Sequence, residues 1–213
     1  MLALACLAPL MAGAQALGGC TAAAGGAFRV EVRLDTAPVR LNRSLSRAQL
    51  GERTFHGPRT RVLGLTHSTV DLDTSAAYKW SPAGDGACFW VEAVDVVLRY
   101  QAVEIFVASE YSPNSCAYHA ILRHEQEHVA VARKHLDRYA PRYRAALTSL
   151  LIPRPRSPKL VASQSEMQQE IERLLAKLLQ PIATEMHREM AEAQAALDTP
   201  QVYRRVRRQC KNW

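Results

Sequence analysis

The hydrophobic period of this chain changes near Ser109, and that change limits the folds open to it. From Phe28 to Ser109 apolar residues recur mostly at every second position. Phe28, Val30, Val32 and Leu34 alternate with polar neighbours, as do Val70 and Leu72 between Ser68 and Thr74. Cys88 to Tyr100 is long and apolar, with Trp90, Val94, Val96 and Leu98, and Gln101 to Ala108 follows with Val103, Ile105 and Val107. Period-two runs rich in β-branched residues and bounded by Gly, Pro and Asp read as strands. Taken as successive strands, they predict an antiparallel sheet over about 28–109. The run Val103–Ala108 is then expected to be an exposed edge able to pair with an extended peptide. Ser44 to Gly51 suits a short helix.

Beyond Ser109 the pattern becomes helical. Tyr118 to Tyr139 holds no Gly or Pro, and Ser115 or Asn114 can cap its start just after Pro113. The helix is expected to reach Leu150, bent or broken near Pro141. Pro153-Arg154-Pro155-Arg156-Ser157-Pro158 forms a stiff basic connector. Gln164 to Leu197 reads as a second long helix with a kink at Pro181. The expected class is α+β, an N-terminal antiparallel sheet followed by a helical hairpin over about 117–198.

The first long helix carries Arg123-His124-Glu125-Gln126-Glu127-His128, an H-E-x-x-H motif. Positions i and i+4 share a helix face one turn apart, so two imidazoles can hold one zinc ion. A glutamate beside the open coordination position can accept a proton from water that the metal has acidified. In a chain with seven histidines, chance produces such a motif in on the order of one per cent of cases. Its surroundings favour function, because Ala120, Ile121, Leu122, Val129, Ala130, Val131 and Ala132 flank the histidines. An exposed helix face does not place two histidines in so apolar a run. The same residues also contain the inverted motif H-x-x-E-H, with Glu127 as base. At 100° per residue Glu125 and Glu127 flank the histidine face symmetrically, so the spacing leaves both open.

A zinc hydrolase needs a third protein ligand. His135 lies seven residues beyond His128, about 10 Å of helix rise, too far to share an ion. A returning antiparallel helix would bring its later half alongside His128, where the stripe Leu175, Leu178, Ile182 turns into Glu185, Glu189 and Glu192. Glu185 is the expected ligand, with Glu189, Asp198 and His187 as alternatives. The competing reading is an amphipathic helix whose charged face simply turns outward.

The first 19 residues resemble a secretory signal peptide: apolar or small, uncharged, with Ala12-Gly13-Ala14 and Ala14-Gln15-Ala16 as cleavage patterns. The remainder, 20–213, is expected to form a single domain of the metallopeptidase type. Leu17-Gly18-Gly19-Cys20 also matches a bacterial lipobox, which would put a lipid anchor on Cys20. Four cysteines remain after the signal, namely Cys20, Cys88, Cys116 and Cys210. An even count in an exported chain favours two disulfides over lipidation. Cys116 and Cys210 lie at ends that a helical hairpin would bring together, so they are expected to pair, leaving Cys20 with Cys88.

Several stretches together resemble a family of exported bacterial proteins described as predicted secreted zinc-dependent proteases (domain of unknown function 922). They are Arg61 to Thr66, Cys88 to Val91, Val107 to Tyr111, Ser115 to Tyr118, Ile121 to Val129 and Leu197 to Pro200. The resemblance covers nearly all of the chain after the signal. It implies His124 and His128 as zinc ligands, Glu125 as general base and a peptide or protein as substrate. Where some members place a histidine and a glycine after the Asp-Thr pair, this chain has Val202 and Tyr203.

The net charge is +7, with Arg204, Arg205, Arg207, Arg208 and Lys211 crowded at the C-terminus. No nucleic-acid-binding motif accompanies them and aromatics are few, so no nucleic acid is expected. An anionic envelope surface is the natural counterpart for an exported basic chain. The expected function is an exported zinc metallopeptidase, periplasmic or secreted. A non-catalytic zinc-binding or scaffold protein of the envelope is the alternative.

Overall fold

The computed structural model describes residues 20–22, 26–53 and 62–213. The proposed signal, residues 1–19, lies outside the described residues. The chain runs β1 (Arg29–Thr36), β2 (Arg40–Asn42), α1 (Arg47–Glu52), β3 (Gly64–Ala83), β4 (Gly86–Val107), α2 (Cys116–Ser149), β5 (Lys159–Val161), α3 (Gln164–Leu197) and α4 (Pro200–Arg207).

The sheet is mixed, which corrects the antiparallel expectation. The 22-residue β4 is its spine. On one edge it pairs along its length with β3, antiparallel. Along the other edge lie β5, antiparallel, then β1 and β2, both parallel. Alternating sequence could not reveal this, because side chains alternate with period two in either pairing. Parallel pairing needs a long crossover, and the chain from Thr36 to Gly86, through β2, α1 and β3, provides one. The second correction concerns the edge. Val103–Val107 is interior, paired with Gly64–His67 on one side and in part with Arg40–Asn42 on the other. Among the described residues β3, like the short strands β2 and β5 and like β1, pairs only with β4, so its outer edge has no strand partner.

Two bulges make one strand of what alternation divides into two. Pairing shifts between Ala77 and Tyr78 and again between His67 and Thr69, and each shift leaves an extra residue on β4. Each extra residue flips the alternation. Phe89 and Val91 are buried, then Val94, Val96, Leu98 and Tyr100, then Val103, Ile105 and Val107. All of these join one core cluster. At the second bulge Ala102 has φ 51°, a left-handed conformation that costs an alanine roughly 1 kcal/mol. The β3–β4 hairpin closes through Gly84 and Asp85, with Gly84 at φ 55°, where glycine carries no Cβ penalty.

Helices α2 and α3 pack on the resulting apolar face. α2 starts at Ser115, whose side chain accepts from the Tyr118 amide. Its buried stripe runs Tyr118, Ile121, Glu125, Val129, Ala132, Leu136, Tyr139, Tyr143 and Leu147, the three-and-four spacing of one helix face. Both helices continue through their prolines, Pro141 and Pro181. They run antiparallel: Arg142 pairs with Glu185, Arg138 with Glu189, and His128 meets Gln194. On the opposite face of the sheet, α1 buries Leu50 against Val62, Phe106 and Ala108. Its start is closed by a capping box between Ser46 and Gln49.

Disulfides join Cys20 to Cys88 and Cys116 to Cys210. The second clamps the start of α2 to the segment just after α4. The Cys20 sulfur is engaged with Cys88 and so is not free for a lipid. Two disulfides suit a chain that matures in an oxidising compartment. Among the described residues no helix is long and apolar enough to cross a membrane.

Candidate metal centre

His124 and Glu125 interrupt the buried stripe of α2, and each is only 4% exposed. Burying polar groups is costly unless they find partners, so their surroundings decide what they do. The imidazoles of His124 and His128 lie 5.0 Å apart, edge to face. Opposite them stands Asp198, the residue that ends α3. Its Oδ1 lies 3.4 Å from His124 Nε2 and 3.4 Å from His128 Nε2. One ligand atom from each of His124, His128 and Asp198 can be chosen so that all lie within 4.8 Å of one another.

Three acceptor atoms converging on one point call for a cation. Among the described residues neither ring nitrogen of the buried His124 makes a hydrogen bond, and Nε2 has only the Asp198 carboxylate nearby, at 3.4 Å. An imidazole nitrogen without a hydrogen bond, aimed at a carboxylate and a second imidazole, fits a metal site. His128 is better held. Its Nδ1 lies 2.5 Å from Gln194 Oε1, and Gln194 Nε2 donates to the His128 carbonyl at 3.0 Å. Burial opposes charge on His128, but Asp198, Gln194 and Glu125 outweigh it and raise its pKa. Burial likewise would raise Asp198. The facing imidazoles and the Tyr203 hydroxyl, which donates to Oδ1 at 2.7 Å, overcome this and hold the carboxylate well below its usual range. Tyr203 itself is pushed up, by burial and by that bond.

Glu125 sits beside this cluster, under the start of β3. The Thr66 hydroxyl donates to its Oε2 at 2.9 Å and also lies 3.0 Å from its main-chain carbonyl. Burial pushes the carboxyl pKa up, while His128, His124 and the Thr66 bond pull it part of the way back. A carboxyl group raised in this way, beside the histidines, is suited to taking and returning a proton. Glu127, its rival in the inverted motif, points away and is exposed.

Gly64 allows the strand to come this close. A Cβ there would stand 2.7 Å from Glu125 Oε1 and 2.6 Å from Ile121 Cγ2. Gly64→Ala should therefore overpack the contact and cost about 1–3 kcal/mol. For a chain of this size that is a fall in Tm of several degrees, read by thermal denaturation. An unchanged Tm would mean that strand and helix are not in firm contact here.

The structure departs from the sequence in the third ligand. Glu185 does not reach the histidines but pairs with Arg142, and Glu189 pairs with Arg138. The register of the hairpin is the reason: Gln194, not Glu185, stands opposite His128. His187 lines the cleft near the cluster without joining it. His135 packs in the core, its Nδ1 2.8 Å from the Val131 carbonyl. Sequence reasoning held Asp198 only as an alternative, and it missed Gly64, Thr66, Gln194 and Tyr203. One signal was available. Thr199 followed by Pro200 is a cap and first-turn pair, and Thr199 does cap α4, which brings Tyr203 round to Asp198.

The cluster opens into a cleft of about 610 Å³ between the first residues of β3 and the last turns of α3. Gly64 to Ser68 and Val70 form one wall, and His187, Met190, Ala191 and Gln194 the other. Its floor carries Glu125, His128, Asp198 and Tyr203. Comparison of the chain with protein-family models, with curated proteins and with solved structures found no match.

Proposed function

We propose that this chain is an exported zinc-dependent peptidase, acting in the periplasm or outside the cell. The observation that carries the reading is the convergence of His124, His128 and Asp198 with Glu125 buried beside them, where His128, Asp198 and Glu125 line an open cleft. Zinc, when bound, would polarise a carbonyl and make water acidic enough to attack near neutral pH. The remaining roles belong to the chain. His124, His128 and Asp198 would hold the ion. Glu125, oriented by Thr66, accepts a proton from the attacking water and returns it to the leaving amine, so that the peptide bond breaks with no net proton change at the enzyme. Tyr203 fixes Asp198 through its hydroxyl.

A polypeptide substrate is supported by the wall of the cleft. β3 passes the site at Gly64–Ser68, and its outer edge has no strand partner among the described residues. An extended peptide could add to that edge with main-chain hydrogen bonds, presenting a carbonyl at the floor. The exposed arginines of α4 favour substrates or surfaces of negative charge.

The test is turnover of a broad library of quenched peptides by the purified, oxidised protein. Cleavage should disappear on removal of metal by a chelator and return with stoichiometric zinc. Stoichiometric zinc without cleavage of any member would leave the non-catalytic, zinc-binding protein of the envelope as the correct reading.

A further inference from the structure

We infer that Gln194 is a positioning residue that presets the tautomer of His128, leaving Nε2 as the atom that binds metal. The inference rests on the metal reading above. A glutamine side chain can be turned two ways, and here only one of them works. Its NH2 group must face the His128 main-chain carbonyl, 3.0 Å away, because a carbonyl only accepts. The reverse orientation would set oxygen against oxygen. Its Oε1 is then fixed 2.5 Å from His128 Nδ1. An amide oxygen also only accepts, so Nδ1 must carry a proton. In the neutral ring the lone pair is therefore on Nε2. That atom is the one 3.4 Å from Asp198 Oδ1, facing His124. Two bonds from one side chain, to the ring and to the backbone of the same residue, hold both the orientation and the tautomer of that ligand.

The arrangement is one-sided. Among the described residues no side chain accepts from or donates to His124 Nδ1, so nothing comparable sets its tautomer. Gln194 is on α3, four residues before Asp198. The helix end that supplies the carboxylate thus also prepares one of the histidines facing it.

The tautomer can be read directly in metal-free protein, by two-bond proton–nitrogen correlation spectra of the labelled imidazoles at alkaline pH. Wild type should show His128 with its proton on Nδ1. Gln194→Leu, which removes both bonds, should shift the proton toward Nε2 and weaken zinc binding by about 10- to 100-fold in chelator competition, the usual scale for an outer-shell partner. Gln194→Glu keeps an acceptor for Nδ1–H but sets its second oxygen against the His128 carbonyl, so it should keep the wild-type tautomer and recover only part of the affinity. His128 protonated on Nε2 in neutral wild type would overturn the inference without recourse to any variant. Equal zinc affinity in wild type and Gln194→Leu would overturn it too, while leaving the metal reading intact. Absence of zinc binding in wild type would overturn both.

Discussion

Glu125→Gln is expected to keep its zinc and its fold and to lose peptide turnover by roughly 10²-fold or more, the scale of removing a general base. Glutamine has the shape of glutamate, and its carbonyl can still accept from the Thr66 hydroxyl that holds Glu125 Oε2 at 2.9 Å. What it cannot do is take a proton. The histidines and Asp198 are untouched, so elemental analysis should still find one zinc per chain. Glu127→Gln is the matched control. Glu127 is as near to the histidines in sequence but is exposed, so its substitution should leave kcat nearly unchanged. Loss of activity in Glu127→Gln with retention in Glu125→Gln would establish the inverted motif.

Asp198→Ala should lose zinc as completely as His124→Ala or His128→Ala, whereas Glu185→Ala and Glu189→Ala should keep it. Each member of the three-residue cluster supplies one atom to a site that has no fourth protein donor to spare among the described residues. Losing one should weaken binding by more than the ~10- to 100-fold of an outer-shell change. The two glutamates are engaged with Arg142 and Arg138 and stand away from the histidines. Metal content after dialysis, with circular dichroism to verify the fold, separates the sets. Stoichiometric zinc in Asp198→Ala would remove that residue from the site.

The limits of the sequence follow from the range of the interactions involved. Within one helix the message is local: Ser115 caps, the three-and-four stripe faces the core, and His124 and His128 share a face. The third ligand depended on the register between two 34-residue helices. That register is set by the path of the connector from Leu150 to Ser163, which includes β5. Thirteen residues separate Glu185, the expected ligand, from Asp198, about 20 Å of helix rise, so the expected register was wrong by several turns and named the wrong carboxylate. Strand direction was hidden for a different reason. Val30, Val32 and Leu34 alternate in the same way whether β1 meets β4 parallel or antiparallel. The bulge at Ala102 disguised one strand as two, since an added residue reverses which positions point inward. Thr66 and Gly64 carry no chemical signature of their own, and they gain their roles only because β3 crosses above Glu125.

The Cys116–Cys210 bond has a consequence for when the centre can assemble. The two histidines ride on α2, while Asp198 and Tyr203 come from the far end of the chain, 70 or more residues later. The bond closes a loop with a sequence separation of 94 residues, which in the chain-entropy view is worth roughly 4–5 kcal/mol against the unfolded state. Put kinetically, it raises the effective concentration of the carboxylate around the imidazoles. In a reducing compartment that clamp is open, and the last segment is free to leave α2. On the proposed reading the centre is expected to become complete only after export and oxidation, so that maturation itself would act as the latch on the proposed hydrolytic site.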